Sequence, residues 1–298
     1  MLSRLPATAW AVLSVALLAE PLASQIPSAE EALVLPSPDS SLQANLDRVL
    51  AREPYRSLVR RGSLSVSLLD MSSGEGLRYA AADDDHMRYA ASLPKIAIML
   101  AVFARIDDGA LEYTPELKAK LEAMIRRSSN RVSSELITLV GFETIEEVLR
   151  DPHYELYDPD REGGLWVGKG YGGLGVWRRD PLSNLSHGAT TRQVTRFLAM
   201  MELGQLVSPW ASGEMKNILS NPAIEHKFVL GLRQARPQSR IFRKSGTWQR
   251  WHADAAVVER GGRKYVAVAL LETERVGVLA RLIVDLDDVI FGRLGTSP

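Results

Sequence analysis

Tyr89-Ala90-Ala91-Ser92-Leu93-Pro94-Lys95, followed by the apolar run Ile96-Ala97-Ile98-Met99-Leu100-Ala101-Val102-Phe103, decides how this chain is read. The run is apolar on every side, which predicts a helix buried in the middle of a domain. Proline is tolerated in a helix only in the first turn, where its missing N–H is not needed. The helix is therefore expected to start near Ala91 or Ser92. Ser92 and Lys95 are three residues apart and would share one helical face. A hydroxyl and an amine would then sit at the positive end of a buried helix. Desolvation makes an amine lose its proton more easily. A neutral Lys95 could accept the proton of Ser92, whose hydroxyl is a poor nucleophile until a base activates it. Taken alone, Ser-x-x-Lys also fits a helix cap followed by a solvated lysine.

Composition bounds the rest. The 298 residues fit one domain of some 250 residues or two smaller ones, with 46% hydrophobic and 24% charged residues. Lys plus Arg equals Asp plus Glu at 36 each, so no global charge points to nucleic acid. There is no cysteine, which excludes thiol catalysis, disulfides and cysteine metal sites. Met1 to Arg4 is a short positive region, Ala7 to Leu18 is apolar, and Ala19 to Ser24 ends in small residues. Residues 1–24 therefore read as an export signal, too short for a comfortable membrane span, and imply a periplasmic or secreted protein. No metal-ligand spacing is found and no cofactor is expected. Asp83-Asp84-Asp85 reads as a solvated acidic loop.

Taken in order, residues 25–41 are Pro- and Ser-rich and read as a linker to a domain spanning 42–298. Leu42 to Arg61 has the spacing of an amphipathic helix. Gly62 to Asp70 alternates Ser with apolar residues, a half-buried strand, and Leu77 to Ala81 returns as its hairpin partner. Helical patterns run from Thr114 to Leu149, from Thr190 to Leu203 and from Trp210 to Leu219. Asp151 to Pro181 lacks periodicity and reads as a long functional loop. Strands are expected over Arg240–Thr247, Ala253–Glu259 and Lys264–Glu272, and a closing helix over Val276–Ile290. Two strands, a helical block at about 91–235, three strands and a helix predict an α+β fold. One antiparallel sheet is flanked by helices in an α/β/α sandwich with an all-helical insertion.

Three short motifs fall in order along this plan: Ser92-x-x-Lys95, Ser128-Ser129-Asn130 and Lys244-Ser245-Gly246-Thr247. Together they resemble the serine β-lactamase and penicillin-binding-protein superfamily, closest to class A β-lactamases, with signature S-x-x-K, S-D-N and K-T-G. The resemblance covers roughly Leu42 to Gly292 and implies a β-lactamase/transpeptidase-like fold. It implies that Ser92 is acylated, that Lys95 accepts its proton, and that Ser128 relays a proton to the leaving nitrogen. Asn130 would bind the substrate amide, Lys244 would keep the Ser128 region electropositive, and Ser245 and Thr247 would hold a substrate carboxylate. The N–H groups of Ser92 and Thr247 would form an oxyanion hole, with Gly246 keeping that strand edge unobstructed. Read without the resemblance, Ser128-Ser129-Asn130 is a helix cap and Lys244-Ser245-Gly246 an ordinary strand end.

Class A β-lactamases hydrolyse the acyl-enzyme with a water held by the glutamate of an E-x-x-L-N loop. Glu162-Gly163-Gly164-Leu165-Trp166 matches Glu and Leu but ends in tryptophan, which cannot hold a water as an amide would. Glu162 is either the deacylation base or a loop carboxylate paired with Arg161 or solvent; Asp158 and Asp160 are weaker substitutes. Arg250 and His252 are expected at the cleft rim near the substrate carboxylate, with a structural His as the bland alternative. His187 precedes a helix, and no Gly-x-Ser-x-Gly elbow supports a Ser-His-Asp hydrolase. Trp166, Tyr171, Trp177, Trp248 and Trp251 line a cleft or pack the core. The expected protein is a monomeric serine hydrolase acting on a small-molecule β-lactam. The alternatives are a D-alanyl-D-alanine peptidase or esterase acting on a peptidoglycan-type peptide, or a penicillin-binding sensor that does not turn over. No nucleic-acid partner and no membrane span after signal cleavage are expected.

Overall fold

The computed structural model describes residues 33–293 apart from positions 73, 75, 161, 174 and 276. The expected export signal and the first part of the expected linker lie outside the described residues. In chain order, α1 (Ser40–Leu50) and α2 (Tyr55–Arg60) precede β1 (Leu64–Asp70) and β2 (Arg78–Ala82). A short β3 (Arg88–Tyr89) leads to α3 (Lys95–Asp107), α4 (Pro115–Arg126), α5 (Asn130–Val140) and α6 (Phe142–Arg150). The loop-rich stretch holds β4 (Tyr157–Asp158), β5 (Gly163–Gly164), β6 (Trp166–Val167) and β7 (His187–Ala189). Then come α7 (Thr191–Glu202), α8 (Pro209–Leu219), α9 (Phe228–Ala235), β8 (Arg240–Trp248), β9 (Trp251–Arg260), β10 (Arg263–Glu272) and α10 (Val278–Ile290).

The main sheet is antiparallel, in the order β2-β1-β10-β9-β8. The expected α+β architecture is therefore the one found, with the first hairpin and the last three strands brought together across the helical block. Two apolar clusters sandwich the sheet. Phe242, Ala253, Ala255 and Val257 face the helical block, where α3 is buried along Ile96–Phe103. Ile241, Ala256 and Val258 face the layer of α1, α9 and α10. This alternation decides which way each functional residue of β8 points, because successive side chains in a strand leave opposite faces.

Several expectations need correcting. The described part of the linker is docked: Leu33 and Leu35 join the core, the Leu33 carbonyl accepts from Arg196 Nε at 2.8 Å, and α1 already starts at Ser40. The predicted helix over 42–61 is two helices, because Pro54 stands where a continuous helix would need its N–H. Strand β1 is buried along its whole length rather than half-buried, because helices cover both faces of the sheet. Its serines are satisfied inside: Ser65 Oγ donates to Asp83 and Ser67 Oγ to Thr191 Oγ1 at 2.7 Å. The acidic loop is paired rather than solvated, with Asp83 on Arg88 and Asp84 on Tyr79 and Arg192. Helix α9 has no counterpart in the sequence reading; eight residues interrupted by Gly231 give a weak pattern. That glycine is required by packing, since a Cβ there would lie 2.0 Å from the Ala280 carbonyl oxygen of α10.

Candidate active site

The helix carrying the first motif begins at Lys95, three residues later than expected. Ala91 adopts a left-handed conformation (φ 50°), and the chain then turns through Leu93 N–H to Ala90 O (3.0 Å) and Lys95 N–H to Ser92 O (3.4 Å) before α3 proper. Ser92 thus sits in a tight turn ahead of the helix, half-buried, with Pro94 as the capping residue. Lys95 is fully buried, and burial lowers its pKa to about 7. The driving force is loss of solvation of the ammonium, so the neutral amine is substantially populated near neutrality.

Lys95 Nζ donates to the Ser128 carbonyl at 2.7 Å and to Asn130 Oδ1 at 2.8 Å, and Ser128 Oγ stands 3.5 Å away. Those two acceptors use two of the three ammonium donors. The third position becomes a lone pair when Lys95 is neutral. Ser128 is left-handed as well (φ 55°), which turns its carbonyl toward Lys95. Ser129 caps α5, its Oγ accepting from the Val132 N–H. The middle residue of this tripeptide caps the helix while the outer two meet Lys95.

Strand β8 closes the other side. Lys244 lies on the face toward the helical block and donates to Ser128 Oγ at 3.0 Å and to the Ser245 carbonyl at 2.6 Å. Burial, then the positive charge of Lys95, pushes its pKa well down. Gly246 is where the strand touches the turn. A Cβ there would lie 2.0 Å from Ala90 O and 2.8 Å from the Ser92 nitrogen. Only glycine allows this approach. The structure therefore brings Ser92, Lys95, Ser128, Asn130 and Lys244 together at one strand edge, with the two amines converging on the Ser128 hydroxyl.

The opposite face of β8 carries Ser245 and Thr247, and here sequence reasoning missed a residue. Lys227, only 3% exposed, donates to the Gly246 carbonyl at 2.5 Å and to Thr247 Oγ1 at 2.7 Å. It precedes α9 in a left-handed conformation (φ 53°), and burial lowers its pKa to about 8. Asp254 fixes this end of α9 by accepting the Phe228 N–H at 3.1 Å while pairing with Arg243 at 2.6 and 2.8 Å. Arg250 does not fill this role. It is half-exposed and paired with Glu272 at 3.0 Å, on the far side of the hairpin tip. His252 is opposite Thr247 in the sheet register but turns its Nε2 to the Thr273 carbonyl at 3.2 Å.

The remaining wall is the loop-rich stretch. Tyr171 is buried with its ring centroid 4.4 Å from Lys95 Nζ and its hydroxyl donating to the Ala91 carbonyl at 3.3 Å. Ser134 of α5 holds the backbone of Tyr171 at both its N–H and its carbonyl. His187 stacks on Tyr171 at 4.3 Å and meets the Lys169 carbonyl through Nε2. Burial lowers its pKa to about 4, so the imidazole is neutral at pH 7. Glu162 is exposed in the turn between β4 and β5 and makes no hydrogen bond or ion pair among the described residues. Trp166 is a core residue, packed on Tyr157 and Trp177, and its indole N–H donates to the Arg178 carbonyl. Trp248 and Trp251 instead stand at the mouth of the β8–β9 hairpin beside Tyr171. No group of acidic or imidazole side chains among the described residues can hold a metal ion, and no described helix is long and apolar enough to cross a membrane.

Comparison with solved structures gives the same fold at low identity. A β-lactamase from Sphaerobacter thermophilus aligns over 87% of this chain and 98% of its own, with 17% identity and a TM-score of 0.64. PBP-A aligns over 88% and 100%, at 19% identity and the same TM-score. A class A β-lactamase representative from Bacteroides cellulosilyticus aligns over 85% and 100%, at 15% identity and 0.63. No curated protein matches the chain in sequence. A model of the β-lactamase enzyme family matches residues 113–286, a span that holds Ser128, Asn130 and Lys244 and begins just after α3. With more than half its length matched and the sheet, helical block and strand edge arranged as described, this chain belongs to the β-lactamase enzyme family.

Proposed function

We propose that this protein is an acyl-serine hydrolase of the penicillin-binding type. Ser92 opens D-alanyl-type amide or ester carbonyls and is acylated by β-lactams that it releases slowly. Ser92 Oγ attacks the carbonyl carbon while Lys95 Nζ takes its proton. The oxyanion meets the N–H groups of Ser92 and Thr247 across the Gly246 contact. When the C–N bond breaks, Ser128 Oγ protonates the leaving nitrogen and is reprotonated by Lys95, which returns the proton taken from Ser92. Lys244 keeps this path electropositive. Asn130 binds the substrate amide, and Thr247 with Lys227 behind it holds a substrate carboxylate.

The observation that carries this reading is Tyr171. The flank of Lys95 on the loop side is an aromatic ring, and no carboxylate among the described residues pairs with Lys95. Among the described residues, water attacking the acyl group is left with Lys95 as base. A peptide's leaving amine diffuses away and frees that space; a lactam's leaving nitrogen stays tethered to the acyl group and obstructs it. Family membership and the class A neighbours support the alternative of a β-lactamase with Glu162 as base, and one experiment separates the two. Mixed with a chromogenic cephalosporin, the protein should give a burst of one equivalent and a retained mass adduct that Ser92→Ala lacks. Sustained turnover of many equivalents per minute would establish the lactamase instead, and absence of any adduct would remove Ser92 from the reaction.

A further inference from the structure

Beside Asn130 the structure opens a cavity of about 580 Å³. Its wall is aromatic: Tyr89, Trp248 and Trp251, with Tyr89 and Trp251 edge-to-face at 5.7 Å. Trp248 is 56% exposed there, a large apolar surface left at the rim. Two cations border the same space, Lys169 and Arg179. Neither pairs with a carboxylate among the described residues; Arg179 donates from Nη1 to the Asn184 carbonyl at 2.9 Å. No lining residue is acidic. His187 at the floor is kept neutral by burial first and by the nearby cations after it, so it adds no charge to the site.

The backbone that carries Lys169 is tied on both sides: Lys169 bridges Val176, the Gly168 N–H reaches the Ser186 carbonyl at 2.8 Å, and the Trp177 N–H returns to the Gly168 carbonyl at 3.0 Å. A backbone already held in place lowers the ordering cost of binding. Asn130 belongs both to the Lys95 cluster and to this cavity. A substrate whose amide meets Asn130 extends its acyl side chain into this space.

We infer that the cavity is an acyl-side-chain subsite selective for a free carboxylate carried on an apolar or aromatic body, held between Lys169, Arg179 and the tryptophan wall. This rests on the acyl-serine reading for its orientation but not for the binding itself. The site takes a peptide or lactam whose acyl side bears an anion and disfavours one bearing an ammonium group, since two cations that meet no carboxylate among the described residues border it.

The subsite is tested without chemistry in Ser92→Ala protein, titrated with phenylmalonate and with phenethylamine by tryptophan fluorescence. Phenylmalonate should bind saturably and at least tenfold more tightly than phenethylamine. Lys169→Gln with Arg179→Gln should weaken phenylmalonate at least tenfold, while Lys169→Arg with Arg179→Lys should retain it, separating charge from folding. Equal affinity for the two probes, or an unaffected neutralised variant, overturns the inference, as does absence of saturable binding. In unsubstituted protein, α-carboxybenzyl penicillin should acylate at least tenfold faster than its α-aminobenzyl counterpart. Probe binding without acylation by any penicillin defeats the acyl-serine reading and leaves the subsite. Acylation without charge preference defeats the subsite and leaves that reading.

Discussion

The two walls of the cleft are built on different terms. The wall made by the turn at Ser92, the start of α5 and strand β8 is dense in short directional bonds: Lys95 to Ser128 and Asn130, Lys244 to Ser128, Lys227 to Gly246 and Thr247. The wall made by the loop-rich stretch offers rings in their place: Tyr171 on Lys95 and His187 on Tyr171. On the proposed reading the first wall supplies a base, a proton relay and a site for negative charge, which is what forming an acyl bond requires. The second supplies shape and a pair of cations that we infer select the acyl group, and among the described residues it places no carboxylate in contact with Lys95. On the proposed reading, acyl-bond formation rests on the first wall and choice of the acyl group on the second.

The largest effect expected from breaking the first wall is at Gly246. Gly246→Ala inserts a methyl 2.0 Å from the Ala90 carbonyl, so strand and turn must separate. A displacement of this kind should slow acylation by a β-lactam about a hundredfold or more while the sheet still forms. Stopped-flow acylation together with circular dichroism checks it; acylation within threefold of the unsubstituted rate would dissolve the oxyanion role of this contact. Next is the pH profile. Lys95 must be neutral to act as base and has its pKa lowered to about 7, so acylation should fall below that pH, approaching tenfold per unit. A rate flat between pH 5 and 8 would exclude Lys95 as the proton acceptor.

A smaller effect should follow from Lys227→Met, which keeps the apolar stem and removes the charge behind Thr247. Capture of carboxylated acyl donors should weaken roughly tenfold, and that of an uncharged ester much less, read as kcat/KM for each. Equal losses on both would reduce Lys227 to a structural part. The smallest effect is expected at Glu162. Its exposure in the β4–β5 turn predicts that Glu162→Gln changes acyl-enzyme release by less than twofold, followed by mass spectrometry over time. A slowing of ten or more would return that loop to the reaction and merge the two walls into one catalytic unit.

Much of the first wall is legible in the amino-acid sequence because it is made of local patterns on regular elements. The apolar run after Lys95 is long enough to demand a buried helix, and β9 and β10 are short apolar runs bounded by turn residues. Lys227 is not legible. Nothing in His226-Lys227-Phe228 marks it, and its placement depends on Asp254, 26 residues beyond Phe228, capping a helix too short to be read. Arg250 misleads for a related reason: chain proximity to Thr247 suggests the cleft, but a two-residue hairpin turn carries it to Glu272. The second wall lies in the aperiodic stretch from Asp151 to Pro181. There Trp166 and Tyr171 look equivalent in sequence, and only tertiary packing sends one to the core and the other to Lys95.

Ala91, Ser128 and Lys227 all hold left-handed backbone angles that side chains disfavour, and all three border the reacting groups. Each conformation of this kind costs on the order of 1 kcal/mol or more, and the surrounding packing must supply it. The machinery is therefore a loaded spring. Variants selected only for thermal endurance should drift toward glycine at these three places, and would lose reactivity as their melting temperature climbed.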